Sequence, residues 1–288
     1  MTSVVPDRRA VRQALERESG RVAGLVRDSA PLDGSVPGLD WTRAQLIAHL
    51  CSISEACATT LRGEDFVARF GARFVGSYGS GPTFPEAVAA TNARVLADVS
   101  FPAPAEAADA LITGTARLLD AFDANPDLKA QRPAPWYGPE VTLPAGNILA
   151  LAVCEILVHG YDLARAVGAD LRPTKGMAES ATAVAAAMMS EMLPRMLDQH
   201  SASGFTGGFE VRIRGGQRFV LRITDGTAWS EAAEGQDVDC VLTLSAYHAL
   251  LIGYGRLPVW RGIATGKAWA FGRRPWLGPR FPELFLTA

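Results

Sequence analysis

The chain is predicted to be α+β, with an N-terminal bundle of four or five helices followed by a smaller domain of antiparallel sheet and helix. Three observations carry this. Up to about residue 170, apolar residues recur at helical spacing between breaks rich in Pro and Gly. From Gly208 the period changes to two: in GFEVRIRGGQRFVLRITDGTAW, the residues Phe209, Val211, Ile213, Phe219, Leu221 and Ile223 all hold odd positions. A length of 288 residues, 48% hydrophobic, suits two compact domains, placed at 1–170 and 171–288.

The elements follow in order. Val11, Leu15, Val22, Leu25 and Val26 give the first helix its apolar stripe, from Asp7 to about Asp28. After the break PLDGSVPGLD, Asp40 is expected to cap WTRAQLIAHLCSISEACATTLRG, a second helix ending near Gly63. GARFVGSYGSGP reads as a loop, Thr83 opens a helix to about Val99, and AEAADALITGTARLLDAF is another. The Pro-rich NPDLKAQRPAPWYGPEVTLPAG is long for a loop inside a domain and carries Trp136 and Tyr137. A helix from about Pro144 to Val167 closes the bundle at Gly168, and ADLRPTKG reads as a linker. Beyond it lie a helix from Lys175 to about Gln199 and a hairpin whose connection needs an odd number of residues, for instance Arg214–Gly215–Gly216. That odd count keeps both sets of odd positions on one face. Asp225–Gly226 turns into a third strand near Trp229, DVDCVLTLS is a fourth, Ser245 opens AYHALLIGYG, and GKAWAFG adds a strand.

Composition narrows the function. A net charge of -2 gives no overall pull toward nucleic acid or anionic membrane. Four cysteines without CxxC or framework spacing read as reduced and buried, in a cytoplasmic protein. The charged N-terminus has no secretory h-region, and the apolar NILALAVCEILV is too short to span a bilayer. GSYGSGPT lacks the Lys-Ser/Thr ending of a phosphate loop, and ATGKAW lacks its upstream glycine.

Within that apolar run Glu155 and His159 lie four apart, on one helix face. Buried carboxylates are paired or bind metal, and His₂Glu with an open fourth position is an established catalytic zinc set. Of the four histidines, His200 lies at a helix end and His248 in the second domain, which leaves His49 as a third ligand. Spacing alone does not decide the matter, because ExxxH pairs recur by chance and a lone histidine on an apolar face is more often a hydrogen-bonded core residue.

LDWTRAQLIAHLCSISEACATTLRG and LALAVCEILVHGYDLARAVG resemble the two metal-ligand helices of the mycothiol-dependent maleylpyruvate isomerase family, DinB-like bundles with W-T-x-x-x-L-x-x-H-L and E-x-x-x-H-x-x-D-L-A-R-A patterns. DVDCVLTLSAYHALLIGYGRLPVWRGIATGKAWAFG is similar to the sterol-carrier-like domain that often follows. The resemblance implies His49, Glu155 and His159 as ligands of a divalent metal, zinc first, and mycothiol as cosubstrate. The metal would hold the thiol as a thiolate at neutral pH. The thiolate would then attack a small electrophile, giving cis-trans isomerisation or S-transfer. Asp162 either accepts the second ring N–H of His159 or is a surface carboxylate paired with Arg165. Arg256 is a carboxylate clamp by analogy with the family, or a solvated arginine. Trp41 lines a pocket or packs; Trp136 and Tyr137 cover the site or anchor their loop. Small-molecule partners and a possible homodimer follow, with no nucleic acid and no membrane. The competing reading is a binding module that holds an apolar ligand in its second domain, with a structural metal in the bundle.

Overall fold

The computed structural model describes residues 4–72, 75, 83–97 and 100–286. The chain is α+β and divides into two compact units, Asp7–Ser180 and Ala181–Ala288 together with Met1–Pro6.

The first unit is built on four long helices. α1 (Arg8–Arg27) starts where the Asp7 side chain accepts from the Ala10 N–H at 2.8 Å. α2 (Arg43–Arg62) starts on Thr42, not Asp40. The Thr42 hydroxyl accepts from the Gln45 N–H while the Gln45 side chain accepts from the Thr42 N–H, a reciprocal cap. An acidic residue before a helical pattern marks a cap only roughly, and the T-x-x-Q spacing is the stronger signal. A short α3 (Phe66–Phe70) follows, then α4 (Phe84–Val95) on its Thr83 cap and α5 (Pro104–Asp123). The loop expected at 71–82 lies almost wholly outside the described residues.

The Pro-rich segment is no open loop. Its ends pair as an antiparallel ribbon of β1 (Gln131–Pro133) and β2 (Thr142–Pro144), with a 3-10 turn at Pro135–Tyr137 between them. α6 (Ala145–Val167) ends on Gly168, whose φ of 71° suits the left-handed cap that glycine adopts without strain. Every residue of α6 from Ala145 to Ala164 is buried, because α1 and α2 both pack along it. A helix enclosed in this way is apolar on all sides. The run NILALAVCEILV was expected to be too short to span a bilayer, but the whole helix has 23 residues with a mean hydropathy of 1.4, enough by length and composition to cross a membrane. Even so, 94% of that window is buried inside the protein.

The second unit carries a five-stranded sheet. α7 (Lys175–Arg195) precedes β3 (Thr206–Ile213), β4 (Arg218–Thr224), β5 (Thr227–Ala232) and β6 (Cys240–Leu244); then come α8 (Ala246–Gly253), α9 (Val259–Ala264), β7 (Ala268–Phe271) and α10 (Leu277–Arg280). The β3–β4 register puts Arg212 opposite Arg218, leaving Arg214–Gly215–Gly216 in the connection, with φ +72° at Gly215. Phe209, Val211, Ile213, Phe219, Leu221 and Ile223 are all buried, as the alternation required.

The sheet is mixed, not antiparallel throughout. Its order is β5-β4-β3-β6-β7, and β6 runs parallel to β3 with Phe209 opposite Cys240. Residues 233–239 carry the chain from the β5 edge to the other side of β3, so β6 enters in the same direction as β3. Alternation assigns side chains to faces but is blind to the direction of the neighbouring strand.

Candidate metal centre

Two helices of the first unit supply the site. α2 carries His49 in the fully buried run Leu46–Leu50, and α6 carries Glu155 and His159 one turn apart. The apolar stripes around these residues press the two helices together, so polar groups pointing into the contact must find one another. They do. His49 Nε2 lies 3.0 Å from Glu155 Oε2, and His159 Nε2 lies 3.3 Å from the same oxygen. One ligand atom from each of the three residues falls within 4.8 Å of the others. Their exposures are 4%, 9% and 4% for His49, Glu155 and His159.

Asp162 stands beside His159 and not at the surface. It is 1% exposed, and its Oδ2 lies 3.0 Å from His159 Nδ1. With Nδ1–H donating to this carboxylate, Nε2 is the His159 nitrogen that faces Glu155 and His49. Trp41 closes another side, its ring 5.0 Å from that of His49 and 5.6 Å from that of His159, while the two imidazoles meet edge to face at 4.9 Å.

Electrostatics follow from this geometry. Burial alone would push the Glu155 carboxyl up, but hydrogen bonds from His159 and His49 outweigh it and hold the group well below the usual carboxylate range. Burial pushes His49 down, and the neighbouring His159 adds to that against the pull of Glu155. Burial also opposes charge on His159, yet its bonds to Asp162 and Glu155 prevail and raise it.

An ionised carboxylate between two imidazoles, each presenting Nε2, is the donor set of a His₂Glu metal site. Tetrahedral ligands at about 2.1 Å from a cation stand about 3.4 Å apart, close to the 3.0 and 3.3 Å separations present. These residues fit a divalent cation.

The chain's own thiols do not. Burial pushes Cys51 up to about 12 and raises Cys57 and Cys154 too, the latter two also through the charge of Glu155. All three stay protonated at neutral pH.

Other sequence-derived residues stand elsewhere. Trp136 and Tyr137 form the 3-10 turn and pack against Phe66 and Phe84, with ring centroids at 5.9 and 5.3 Å, as loop anchors do. Arg256 belongs to the second unit, where it follows α8 and donates from Nη1 to the Tyr254 carbonyl at 2.6 Å. Its pairing with a substrate carboxylate is an expectation from guanidinium chemistry and the family resemblance. His200 is exposed, and His248 lies 3.2 Å from the Ser245 hydroxyl in the second unit.

Residues 12–164 match the family model described as the mycothiol maleylpyruvate isomerase N-terminal domain. No curated protein matches. Among solved structures, the chain is similar to a mycothiol-dependent maleylpyruvate isomerase at 19% identity and TM-score 0.46, covering 90% of this chain and 91% of that one. A mutant of a protein so described aligns at 18% identity and TM-score 0.48, with the same coverages of 90% and 91%. A stereoselective inverting sec-alkylsulfatase from Pseudomonas sp. aligns at 15% identity and TM-score 0.33, over 87% of this chain and 33% of its own length.

Proposed function

Because the chain belongs to the mycothiol maleylpyruvate isomerase N-terminal domain family, we propose that it is a metal-dependent enzyme using mycothiol to isomerise a small, electron-poor cis alkene, with S-transfer to a related electrophile as the alternative outcome. The observation that carries this is the meeting of His49, Glu155 and His159 on one point from segments 106 residues apart. Zinc is the cation this donor set suits first. When bound, the cation supplies Lewis acidity that keeps a thiol deprotonated at neutral pH.

Each residue then has a defined task. His49 and His159 donate neutral nitrogen lone pairs, and Glu155 supplies the one negative charge among the three ligands. Asp162 holds His159 in the tautomer that leaves Nε2 free to ligate. Trp41 keeps one flank of both imidazoles out of water. Burial raises the thiols of Cys51, Cys57 and Cys154, which favours the cosubstrate's thiol as the nucleophile. The thiolate adds to one carbon of a double bond conjugated to a carbonyl, and the electron pair moves onto that oxygen. The former double bond rotates, and expulsion of the thiolate restores the alkene as trans.

Metal analysis of protein purified without chelators tests this. About one divalent ion per chain is expected, lost in His49→Ala and in His159→Ala. The cobalt form should change its visible spectrum when mycothiol is added, and mycothiol should be required for turnover of maleylpyruvate. Protein that binds no divalent ion under zinc-retaining conditions would sink the proposal, and a cobalt spectrum indifferent to thiol would remove the thiol from it.

A further inference from the structure

Arg43 is the first residue of α2, where a cation is opposed by the helix dipole and α2 has no acidic residue in its first turn to offset it. Its position is explained by what the guanidinium holds. Nη1 donates to the carbonyls of Ser29 at 2.9 Å and Ala30 at 3.1 Å, just past the end of α1, and Nη2 donates to the carbonyl of Ala166 at 2.7 Å, in the last turn of α6. The last carbonyls of a helix lack intrahelical donors, so one planar fork fills such a vacancy in α6 and ties the segment that leaves α1, while anchored on the start of α2. Gly34 makes room for it, since a Cβ there would lie 3.1 Å from Arg43 Nε.

The fork and the three ligands share one antiparallel register. Arg43 meets Ala166, and six residues further along α2 His49 meets Glu155 and His159. At 1.5 Å per residue the two contacts are about 9–10 Å apart along the same helix pair. A slip of α2 by one residue would carry His49 about 1.5 Å along the axis, half the 3.0 Å that separates it from Glu155.

We propose that Arg43 is a positioning residue for the metal centre: its fork on Ala166 and the α1 end sets the register of α2 against α6, and so the distance of His49 from the Glu155–His159 pair. This rests on the metal reading above, but it also makes a claim about the metal-free protein.

The test measures two quantities in wild type, Arg43→Ala, Arg43→Lys and Arg12→Ala. One is cobalt affinity by chelator competition. The other is the cross-relaxation between ring protons of His49 and His159 in metal-free protein, whose rings are 4.9 Å apart. Arg43→Ala should lower cobalt affinity about tenfold or more and weaken the His49–His159 signal; Arg43→Lys, able to reach one carbonyl, should fall between. Arg12→Ala removes an exposed tie between α1 and Asp123 of α5, and should lower the melting temperature without moving either readout. Should Arg43→Ala fail to fold, Arg43→Lys carries the comparison. Wild-type affinity and an unchanged ring signal in the Arg43 variants would overturn the inference. A wild type that binds no cobalt overturns the metal reading instead, and the ring signal alone then decides whether Arg43 sets the register.

Discussion

Gly160 follows His159 on the face of α6 turned to α1. A Cβ placed there would lie 2.6 Å from Arg21 Nη2 and 2.7 Å from Val22 Cγ2, both closer than real contacts allow. Neither neighbour yields easily. Val22 is fully buried and β-branched, so its rotamer is fixed within the helix. The Arg21 Nε donates at 2.7 Å to Glu18, a carboxylate with no exposure that is also bound by the Ser180 hydroxyl at 2.8 Å. Moving the guanidinium loosens a buried ion pair. Against this, alanine in a helix interior gains about 1 kcal/mol over glycine. Overpacking costs about 1–3 kcal/mol, and strain on the Glu18–Arg21 pair adds to it. Gly160→Ala should therefore destabilise the first unit by about 2 kcal/mol, a fall of about 4–8 °C in melting temperature for a unit of this size. Gly24→Ala is the matched control: it lies exposed in α1 with nothing within 4 Å, and should stabilise by about 0.5–1 kcal/mol. Thermal unfolding followed by circular dichroism at the helix band reads both. If the two variants shift the melting point in the same direction, α1 and α6 are not in close contact at Gly160 and the reasoning fails.

Three further outcomes are expected. Asp162→Ala should weaken metal binding about 10–100-fold by freeing the His159 tautomer, and Asp162→Asn, which keeps an acceptor, should lose less; equal losses in a chelator competition would mean that charge matters and tautomer control does not. The pH dependence should differ with and without metal. The stabilisation from His159, whose pKa is raised, is full below about 6.5 and is lost as pH rises through its folded value. That from His49, whose pKa is lowered, is full above about 6.5 and is lost as pH falls through its folded value. The two oppose each other, so the metal-free melting point should change little around neutrality. The rise in melting temperature on adding zinc should grow with pH, because the cation must displace the His159 proton; a rise of equal size at pH 6 and pH 8 would contradict this. Thr42→Ala removes half of the reciprocal cap on α2 and should cost about 1 kcal/mol, measured by denaturant titration; an unchanged midpoint would show that the cap adds nothing.

Much of this was legible in the sequence, for identifiable reasons. Period-two spacing with an odd connection gave both the buried face of the β3–β4 hairpin and its turn residues, since a side chain's face depends only on parity. Spacing and the count of bundle histidines only made His49, Glu155 and His159 candidates, and it was the family resemblance that implied them as one set. What escaped depended on tertiary contact. The parallel entry of β6 is set by where residues 233–239 cross. The pairing of Gln131–Pro133 with Thr142–Pro144 lies in strands too short for a pattern. The ends of α6 were placed within a residue, but the apolar run taken from it, NILALAVCEILV, is shorter than the stretch that is long and apolar enough to cross a membrane. Arg43 carried a faint signal, a cation at the wrong end of a helix, which only the carbonyls of Ala166 and Ser29 explain.

The full enclosure of α6 has a consequence for how the chain is handled during synthesis. A segment of 23 residues at this hydropathy resembles what the insertion machinery passes into lipid. Glu155 stands near its midpoint and Asp162 about two turns later, and a carboxylate at bilayer depth costs about 3 kcal/mol in that sorting step. The side chains that gather at the centre of the bundle thus also disfavour lipid for the helix that bears them. Neutralising both would remove two features that make lipid unfavourable for this helix.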